Sequence, residues 1–429
     1  MSTDSTKLAI DGGTPAVTLD QTAAFHWPNL GSEEEEAVLA VLRRNRTSIG
    51  DRSDVIAELE DRFAEYLGTR FTLARNNGTA ALYCAYFAVG IGYGDEVIVP
   101  SYTWIATVSP LLQLGAVPVF ADIDPQTLTL DPGDVERKIT GRTKAIVPVH
   151  MWGHPADMDR INEIAARRNL RVVEDASHAH GSLYKGRKVG TLADAACFSL
   201  QASKSMTAGE GGLLATDSRA CYERAMVLGQ SPARLHAELT DPALRRFANT
   251  GMGLKFRIHG LAAAIAVEQL KKLDAFNATR NANHDRLTAA LQALPGLTPP
   301  YTAPGCYRGA FYEYRLVYDP EAHNGLPTAQ FIRLLQAEGM YADRERYPLV
   351  HLEPLYSDQV LFDEGLPWMP KHERRAVWNR PGDLPVTERL HDRLVRLPPF
   401  PNSGSEELID QYAAAIRKVV LARAAAVAR

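Results

Sequence analysis

The sequence predicts an α/β fold built on a mainly parallel sheet, followed by a smaller C-terminal α+β domain. Between residues 71 and 200, short apolar runs alternate with segments whose apolar residues recur at helical spacing. Strands that are joined by helices in this way form parallel sheets covered on both faces. Near residue 300 a proline-rich break precedes a new strand and helix, which indicates a second, smaller unit.

The first half of the chain supplies the elements of the predicted sheet. Residues 1–30 contain the turn-forming Gly12-Gly13-Thr14-Pro15 and are expected to form an irregular N-terminal arm. Ser32 and Glu35 form a capping box that predicts the first helix. We expect helices near 32–45, 53–67, 79–89, 105–114 and 158–169, and strands near 71–74, 96–100, 117–121, 145–150, 170–174 and 195–200.

The second half is organised differently. Residues 230–255 are expected to be an insertion or long loop, and the 357–390 stretch is expected to be a surface excursion. The remaining elements are predicted as a helix over about 260–294, a strand near 312–318, and helices near 329–339 and 405–429. The predicted division is an N-terminal arm (1–30), a large domain (31–270) and a small C-terminal domain (271–429).

The composition excludes several classes of protein. Lys plus Arg number 47 and Asp plus Glu number 51, so the formal net charge of −4 gives no general reason to bind nucleic acid or an anionic membrane. No apolar run approaches the ~20 residues of a membrane helix, and the N-terminus lacks a secretory signal. Four scattered cysteines without a C-x-x-C pair are typical of a reduced, cytoplasmic protein without a zinc site.

The strongest local motif runs from Phe198 to Gly212 and is centred on Lys204. A predicted strand leads into a turn of small residues, and a glycine-rich loop follows the lysine. Burial in a cleft lowers a lysine pKa and frees the amine for Schiff-base chemistry. The alternative is a solvated loop lysine, with the glycines serving turn geometry. Only 11 of the 47 basic residues are lysines, which shortens the list of candidates.

A second motif, Glu174-Asp175-Ala176-Ser177-His178-Ala179-His180, ends the predicted strand 170–174. Asp175 lies at the carboxyl end of that strand, where open α/β sheets bind ligands. A carboxylate there can pair with the pyridinium nitrogen of an electron-sink cofactor, and His178 would face the same ligand. The alternative is that His178 and His180 are a structural hydrogen-bonding pair. A metal site is less well supported still, because two histidines at i, i+2 with one Asp do not match a zinc spacing.

Two weaker motifs also follow strands. Asn76-Asn77-Gly78-Thr79 opens a predicted helix, so backbone N–H groups and the helix dipole suit a phosphate. Trp104 follows the strand 96–100, and an indole at a sheet edge can stack on a planar ring. Taken alone, the first is an ordinary helix cap and the second a core or interface tryptophan.

Two other patterns are interpreted as turns. Asp122-Ile123-Asp124 resembles the D-x-D motif that binds a metal–nucleotide in glycosyltransferases, but Pro125 follows it directly. Gly90-Ile-Gly92-Tyr-Gly94 is not G-x-G-x-x-G and ends a helix, so a dinucleotide fold is weakly supported.

The motifs together match one cofactor. They supply a phosphate cup, a ring stack, an acid for a ring nitrogen and a lysine for an aldehyde, all at strand ends on one edge of the sheet. That set matches pyridoxal 5′-phosphate (PLP) and little else.

Four motifs, in the order of the chain, resemble the DegT/DnrJ/EryC1/StrS family of sugar and cyclitol aminotransferases: Asn77–Leu82, Gly94–Pro100, Glu174–Gly181 and Phe198–Gly212. The resemblance covers nearly the whole chain. It implies the PLP fold-type I architecture of aspartate aminotransferase. By this resemblance Lys204 is the catalytic Schiff-base lysine, Asp175 pairs with the pyridine nitrogen and Trp104 stacks on the ring. His178 lies beside the ring. The residues expected at the phosphate are Gly78, Thr79, Ser199 and Gln201.

The resemblance also implies a homodimer with shared active sites. In the family a neighbouring subunit sends a residue, often Asn in a G-x-N-x-R pattern, to the phosphate. Here the corresponding stretch is Gly253-Leu-Lys255-Phe-Arg257, in which Lys255 replaces the usual Asn. A lysine there would meet the phosphate as a point charge.

The implied reaction is transfer of an amino group from glutamate or glutamine to a keto-sugar, keto-cyclitol or related carbonyl compound, as in antibiotic biosynthesis. One alternative is a PLP-dependent dehydratase, whose relatives carry His where the transaminases have Lys. Others are a non-catalytic PLP-fold regulatory protein and the D-x-D glycosyltransferase. Tyr312, Tyr314, Arg346, Tyr347 and the 357–390 stretch are unranked candidates for the substrate pocket.

Overall fold

The computed structural model describes residues 7–357 and 379–427, with side chains to residue 423. Its centre is a seven-stranded sheet with the strand order β1-β9-β8-β5-β4-β2-β3. The strands of this sheet are β1 (Phe71–Arg75), β2 (Glu96–Pro100), β3 (Val117–Ala121), β4 (Thr143–Ile146), β5 (Arg171–Asp175), β8 (Ala195–Ser199) and β9 (Gly212–Thr216). A small three-stranded sheet contains β6 (Leu183–Tyr184), β7 (Arg187–Lys188) and β11 (Cys306–Tyr307).

The central sheet is mainly parallel, as predicted. Strands β3, β2, β4, β5 and β8 pair in parallel, whereas β9 lies antiparallel between β8 and β1. Strand β9 was not predicted, because it begins in a glycine-rich stretch, which favours a loop. The register explains the glycine: Gly212 lies opposite both Arg75 and Ser199, and a Cβ there would fall 2.4 Å from the carbonyl oxygen of Asn77.

Helices cover both faces of this sheet. The helices of the first 260 residues are α1 (Ser32–Arg43), α2 (Asp54–Leu67), α3 (Gly78–Ala88), α4 (Ser109–Gln113), α5 (Pro132–Lys138), α6 (Met158–Arg168), α7 (Arg219–Val227), α8 (Pro232–Glu238) and α9 (Pro242–Arg245). One face buries apolar side chains of α2 and α6, and the other buries those of α3 and α7. Burial on both faces explains why the strands are almost continuously apolar.

The C-terminal part forms a second layer of helix and sheet. Its four strands have the order β10-β12-β14-β13 and are β10 (Leu297–Thr298), β12 (Tyr314–Tyr318), β13 (Asp343–Arg344) and β14 (Leu394–Leu397). Its helices are α11 (Thr328–Ala337), α12 (Pro354–Ser357), α13 (Pro385–Arg393) and α14 (Glu406–Val427), and the long α10 (Gly260–Leu291) leads into it. Leu8 and Val17 of the N-terminal arm are buried in the same core.

The structure differs from the sequence prediction at several elements. The 105–114 helix is a 3-10 turn (Ile105–Thr107) followed by the short α4, because Pro110 restricts the backbone at the start of that helix. The 230–255 stretch contains α8 and α9, each with a proline in its first turn. Helix α10 runs through the predicted boundary at residue 270, and the three-part division stays a prediction. Much of the 357–390 excursion, residues 358–378, lies outside the described residues, and α13 begins within the rest.

Candidate active site

A cavity of about 500 Å³ lies where the parallel strands of the central sheet end. Eight of the residues that the sequence predicted for the site line it. They are Gly78, Thr79, Trp104, Asp175, His178, Ser199, Gln201 and Lys204. The cavity is closed on the opposite side by residues of the C-terminal part, so it lies between two layers of the molecule.

The start of helix α3 forms one end of the cavity. Asn77 caps the helix, because its Oδ1 accepts the N–H of Ala80 at 2.7 Å. The first N–H groups of a helix have no acceptor within the helix and carry the positive end of its dipole. A Cβ on Gly78 would lie 3.0 Å from the Cβ of Ser199, so a side chain there would crowd the helix start against strand β8. This arrangement suits a phosphate held against backbone N–H groups.

Asp175 lies at the floor of the cavity, at the end of β5, and is 4% exposed. Its Oδ2 accepts the hydroxyl of Thr107 at 2.7 Å, and its Oδ1 accepts the N–H of Ser177 at 3.1 Å. Among the described residues no lysine or arginine forms an ion pair with this carboxylate. A buried anion that two neutral donors orient is well suited to a protonated ring nitrogen.

Lys204 lies in the loop between β8 and β9 and is 8% exposed. Its backbone N–H donates to the carbonyl of Gln201 at 2.8 Å, and its own carbonyl accepts the indole N–H of Trp27 at 3.3 Å. The Nζ atom lies 4.4 Å from the centre of the Tyr312 ring. The N-terminal arm and the C-terminal part therefore both fix the position of this lysine.

His178 packs in a cluster with two aromatic rings, Trp152 and Tyr312, whose own centres lie 6.1 Å apart. Its ring centre lies 5.0 Å from that of Trp152 and 4.6 Å from that of Tyr312, and its Nε2 lies 3.1 Å from the Tyr347 hydroxyl. Burial, followed by the charge of Lys204, holds the pKa of His178 well below its usual value. The imidazole is therefore neutral at pH 7, and its buried Nδ1 has no partner within the described residues.

Trp104 lies at the mouth of the cavity and is 51% exposed. Its indole ring centre is 5.3 Å from the ring of Tyr347. Because Trp104 lines the cavity, its indole ring can stack on a planar ligand there.

Three of the four unranked candidates line the cavity: Tyr312, Arg346 and Tyr347. The fourth, Tyr314, is buried in the C-terminal core, where its hydroxyl lies 3.0 Å from that of Thr288. Burial would raise the pKa of Tyr312, but the charge of Lys204 lowers it, and the net pKa lies below the usual value. Thr107 was missed by the sequence analysis, because a threonine in a predicted helix carries no sign of its contact with Asp175.

Lys255 does not line the cavity of its own chain and is exposed. It follows Gly253, which has a φ of +71°. A contact with the phosphate in a neighbouring subunit needs a second copy of the chain, and that role stays a prediction.

Asp122 and Asp124 belong to a turn and not to a metal centre. Asp122 accepts the N–H groups of Val386 and Thr387 at the start of α13, and Asp124 accepts those of Gln126 and Thr127. The part of the chain that the structure describes holds no cluster of metal-ligating side chains. In the same part, no helix has the length and apolar character needed to cross a membrane.

Several known proteins are similar in sequence to this chain over nearly its full length. The DegT/DnrJ/EryC1/StrS aminotransferase family matches residues 28–417. An L-glutamine:2-deoxy-scyllo-inosose aminotransferase of Streptoalloteichus tenebrarius is 36% identical over 422 residues, which are 96% of this chain and 97% of that protein. The L-glutamine:scyllo-inosose aminotransferase of Streptomyces griseus is 34% identical over 421 residues, with the same two coverages of 96% and 97%.

Solved structures share the architecture. The aminotransferase from Psychrobacter cryohalolentis superposes with a TM-score of 0.79 at 29% identity, covering 92% of this chain and 98% of that one. The 3-amino-5-hydroxybenzoic acid synthase gives 0.77 at 29% identity, with coverages of 92% and 98%. An E. coli GDP-4-keto-6-deoxy-D-mannose-3-dehydratase, solved with bound hydrated PLP, gives 0.76 at 21% identity over 91% of this chain and 99% of that one, which shows the common fold alone.

The fold is therefore that of the PLP fold-type I enzymes, and the prediction of this fold class is confirmed. The chain belongs to the DegT/DnrJ/EryC1/StrS aminotransferase family and is an aminotransferase. The glycosyltransferase interpretation of the D-x-D motif is thereby excluded.

Proposed function

We propose that this chain binds PLP in the cavity and transfers the α-amino group of L-glutamine, or of glutamate, to the carbonyl group of a keto-cyclitol. The observation that carries the proposal is the placement of Lys204, Asp175 and the start of α3 around one cavity. The two inosose aminotransferases described above support the donor and the class of acceptor. By the same relationship we propose a place in aminoglycoside-type antibiotic biosynthesis.

The residues of the cavity fit the cofactor. Gly78, Thr79 and Ser199 leave room beside the helix start for a phosphate, with Gln201 next to it. Asp175 would pair with the ring nitrogen, and His178 and Trp104 would flank the ring. When bound, PLP supplies the electron sink that stabilises negative charge at the substrate carbon.

Lys204 is the group that we propose to move the proton. Its Nζ would take a proton from the α-carbon of the donor in the first half of the reaction and deliver a proton to the carbon of the acceptor in the second half. The Trp27 N–H and the Tyr312 ring hold the lysine in place on either side. The donor leaves as its 2-oxo acid, and the acceptor carbonyl becomes an amine.

The assembly and location are part of the proposal. We propose a homodimer in which the partner subunit's Lys255 reaches the phosphate, as the family pattern around Gly253 and Arg257 suggests. The cysteine pattern favours the cytoplasm: Cys84, Cys197 and Cys221 are buried, and all four cysteines are unpaired.

The proposal is tested by incubating the PLP-loaded protein with α-¹⁵N-glutamine and scyllo-inosose or its 2-deoxy form. The expected product is an amino-cyclitol that carries ¹⁵N, and Lys204→Ala should abolish its formation. Lys188→Ala, at a partly buried lysine outside the cavity, is the control and should retain activity. A ¹⁵N-free or unsaturated product would instead support the dehydratase alternative. No transfer of ¹⁵N to either inosose would contradict the proposed class of acceptor.

A further inference from the structure

Three guanidinium groups surround the Tyr312–Glu313 segment, which closes the cavity opposite the central sheet. They belong to Arg280, Arg315 and Arg346. Arg346 Nη2 lies 2.6 Å from Glu313 Oε1, and Arg315 Nη2 lies 2.5 Å from Glu313 Oε2. Arg315 also pairs with Glu345 at 2.5 Å. These two carboxylates pair with Arg315 and Arg346, whereas Arg280 bonds to the Ser205 hydroxyl and the Ala310 carbonyl, so the five groups together carry one positive charge in excess.

Two of these arginines, Arg280 and Arg315, are buried and do not line the cavity. Arg280 is 2% exposed and donates to the Ser205 hydroxyl at 2.7 Å, beneath the Trp27 ring. Arg315 is 2% exposed, and its guanidinium lies 3.9 Å from the centre of the Trp152 ring. Burial therefore keeps both guanidinium groups away from a substrate in the cavity.

Arg346 is the member of this group that faces the cavity. Its side chain is 37% exposed, and it lines the cavity together with Lys204. These two are the cationic side chains among the described lining residues. In the proposed function Lys204 acts on the amino group. Arg346 is therefore the other cationic side chain of this chain in the cavity, and it can bind a negatively charged group on a substrate.

The two substrates of the proposed reaction differ in charge. Glutamine and glutamate carry an α-carboxylate, whereas a keto-cyclitol is neutral, and both must occupy the same cavity in turn. A guanidinium has five N–H donors in a planar fork and can bind a second carboxylate while one edge stays paired. With the neutral acceptor present, the ion pair with Glu313 keeps the partly buried Arg346 from being an unpaired charge.

We propose that Arg346 recognises the carboxylate of the amino donor, and that Glu313 is its resident partner when the neutral acceptor is bound. This inference rests on the proposed function for the identity of the donor. Arg346 is thus a specificity-determining residue that contacts the donor in the first half of the reaction and does not contact the acceptor in the second half.

The test uses glutarate, which carries the donor's carboxylates but has no amino group to react. Its dissociation constant for the PLP-loaded enzyme is measured by calorimetry. Arg346→Met should weaken glutarate binding by about tenfold to a hundredfold, the range expected for losing hydrogen bonds to a charged group. Arg346→Lys keeps the charge without the fork and should give a smaller loss. Arg344→Met, at an exposed arginine on β13 outside the cavity, is the matched control and should bind glutarate as the wild type does.

Steady-state kinetics separate the donor from the acceptor. Arg346→Met should raise KM for glutamine and leave KM for the keto-cyclitol unchanged, while Glu313→Gln should tighten glutarate binding. The inference is overturned if Arg346→Met and Arg346→Lys bind glutarate like the wild type, if the wild type does not bind it, or if the acceptor KM rises instead. Arg346-dependent glutarate binding in a protein that transfers no amino group would support the inference and reject the proposed function.

Discussion

The two walls of the cavity are built in different ways. The sheet wall is made by Gly78, Asp175, Ser199 and Lys204, which follow or end strands of the central sheet. The domain wall is made by Tyr312, Arg346 and Tyr347 of the C-terminal part, with Glu313 behind them. The sheet wall presents fixed backbone and a few polar atoms, whereas the domain wall presents long side chains in a charged network. A rigid wall is suited to a cofactor that stays bound, and an adjustable wall is suited to a donor and an acceptor that bind in turn.

The largest expected effect is at the sheet wall. Asp175→Asn keeps the shape of the side chain but removes the buried negative charge, so a protonated ring nitrogen would lose its partner. Breaking a buried ion pair costs about 3–5 kcal/mol, so we expect kcat for amino transfer at saturating PLP to fall by a hundredfold or more.

Asp217→Asn is the control for this change, because Asp217 is an exposed carboxylate just after β9, where it accepts the N–H of Arg70. It should leave kcat within twofold of the wild type. A kcat for Asp175→Asn near that of this control would show that the sheet wall does not act through Asp175.

Gly78→Val tests the close approach of α3 and β8. A Cβ at this position meets Ser199 at 3.0 Å, so the branched side chain would push the helix start away from the strand. Overpacking costs about 1–3 kcal/mol, and we expect PLP binding to weaken by about tenfold, measured by fluorescence titration. Gly92→Ala, beyond the other end of α3 with open space around it, should bind PLP as the wild type does. Equal affinities in the two variants would contradict the phosphate cup.

Tyr347→Phe tests the domain wall with a smaller change. The Tyr347 hydroxyl lies 3.1 Å from His178 Nε2, and its loss removes one hydrogen bond between the two walls. We expect kcat/KM for glutamine to fall by about two- to tenfold, with PLP affinity unchanged. A large loss of PLP affinity would show that the domain wall also holds the cofactor.

The pH dependence of stability reports on histidines buried behind the sheet wall. Burial lowers the pKa of His154 and of His180 to about 3, below the usual 6.5. Their stabilising contribution is therefore complete above about pH 6.5 and is lost as the pH falls toward 3. Each contributes up to about 1.4 kcal/mol per pH unit in that window. Between pH 6 and 4, His180→Phe should show a shallower fall in unfolding free energy than the wild type, and an equal slope would contradict the burial argument.

The sheet wall was predictable from the sequence because its residues are local to strand ends. The motifs around Gly78, Asp175 and Lys204 each follow an apolar run, and the carboxyl ends of parallel strands meet at one edge. The domain wall was not predictable in the same way. Arg346 is separated from Asp175 by more than 150 residues along the chain, and its partnership with Glu313 depends on how β12 and β13 lie in the second sheet. Strand β9 was missed for a related reason. Its first residue must be a glycine because the carbonyl of Asn77 lies so close, and a glycine favours a loop over a strand in sequence-based prediction.

The central claim is that PLP is attached in this cavity to Lys204. Borohydride reduction of the PLP-loaded protein, followed by peptide mapping, places the cofactor on one of the 11 lysines of the chain. We expect the label only on the peptide that contains Lys204, and we expect no labelled peptide from the Lys204→Ala variant. A label on any other lysine, or a protein that retains no PLP, would contradict the account.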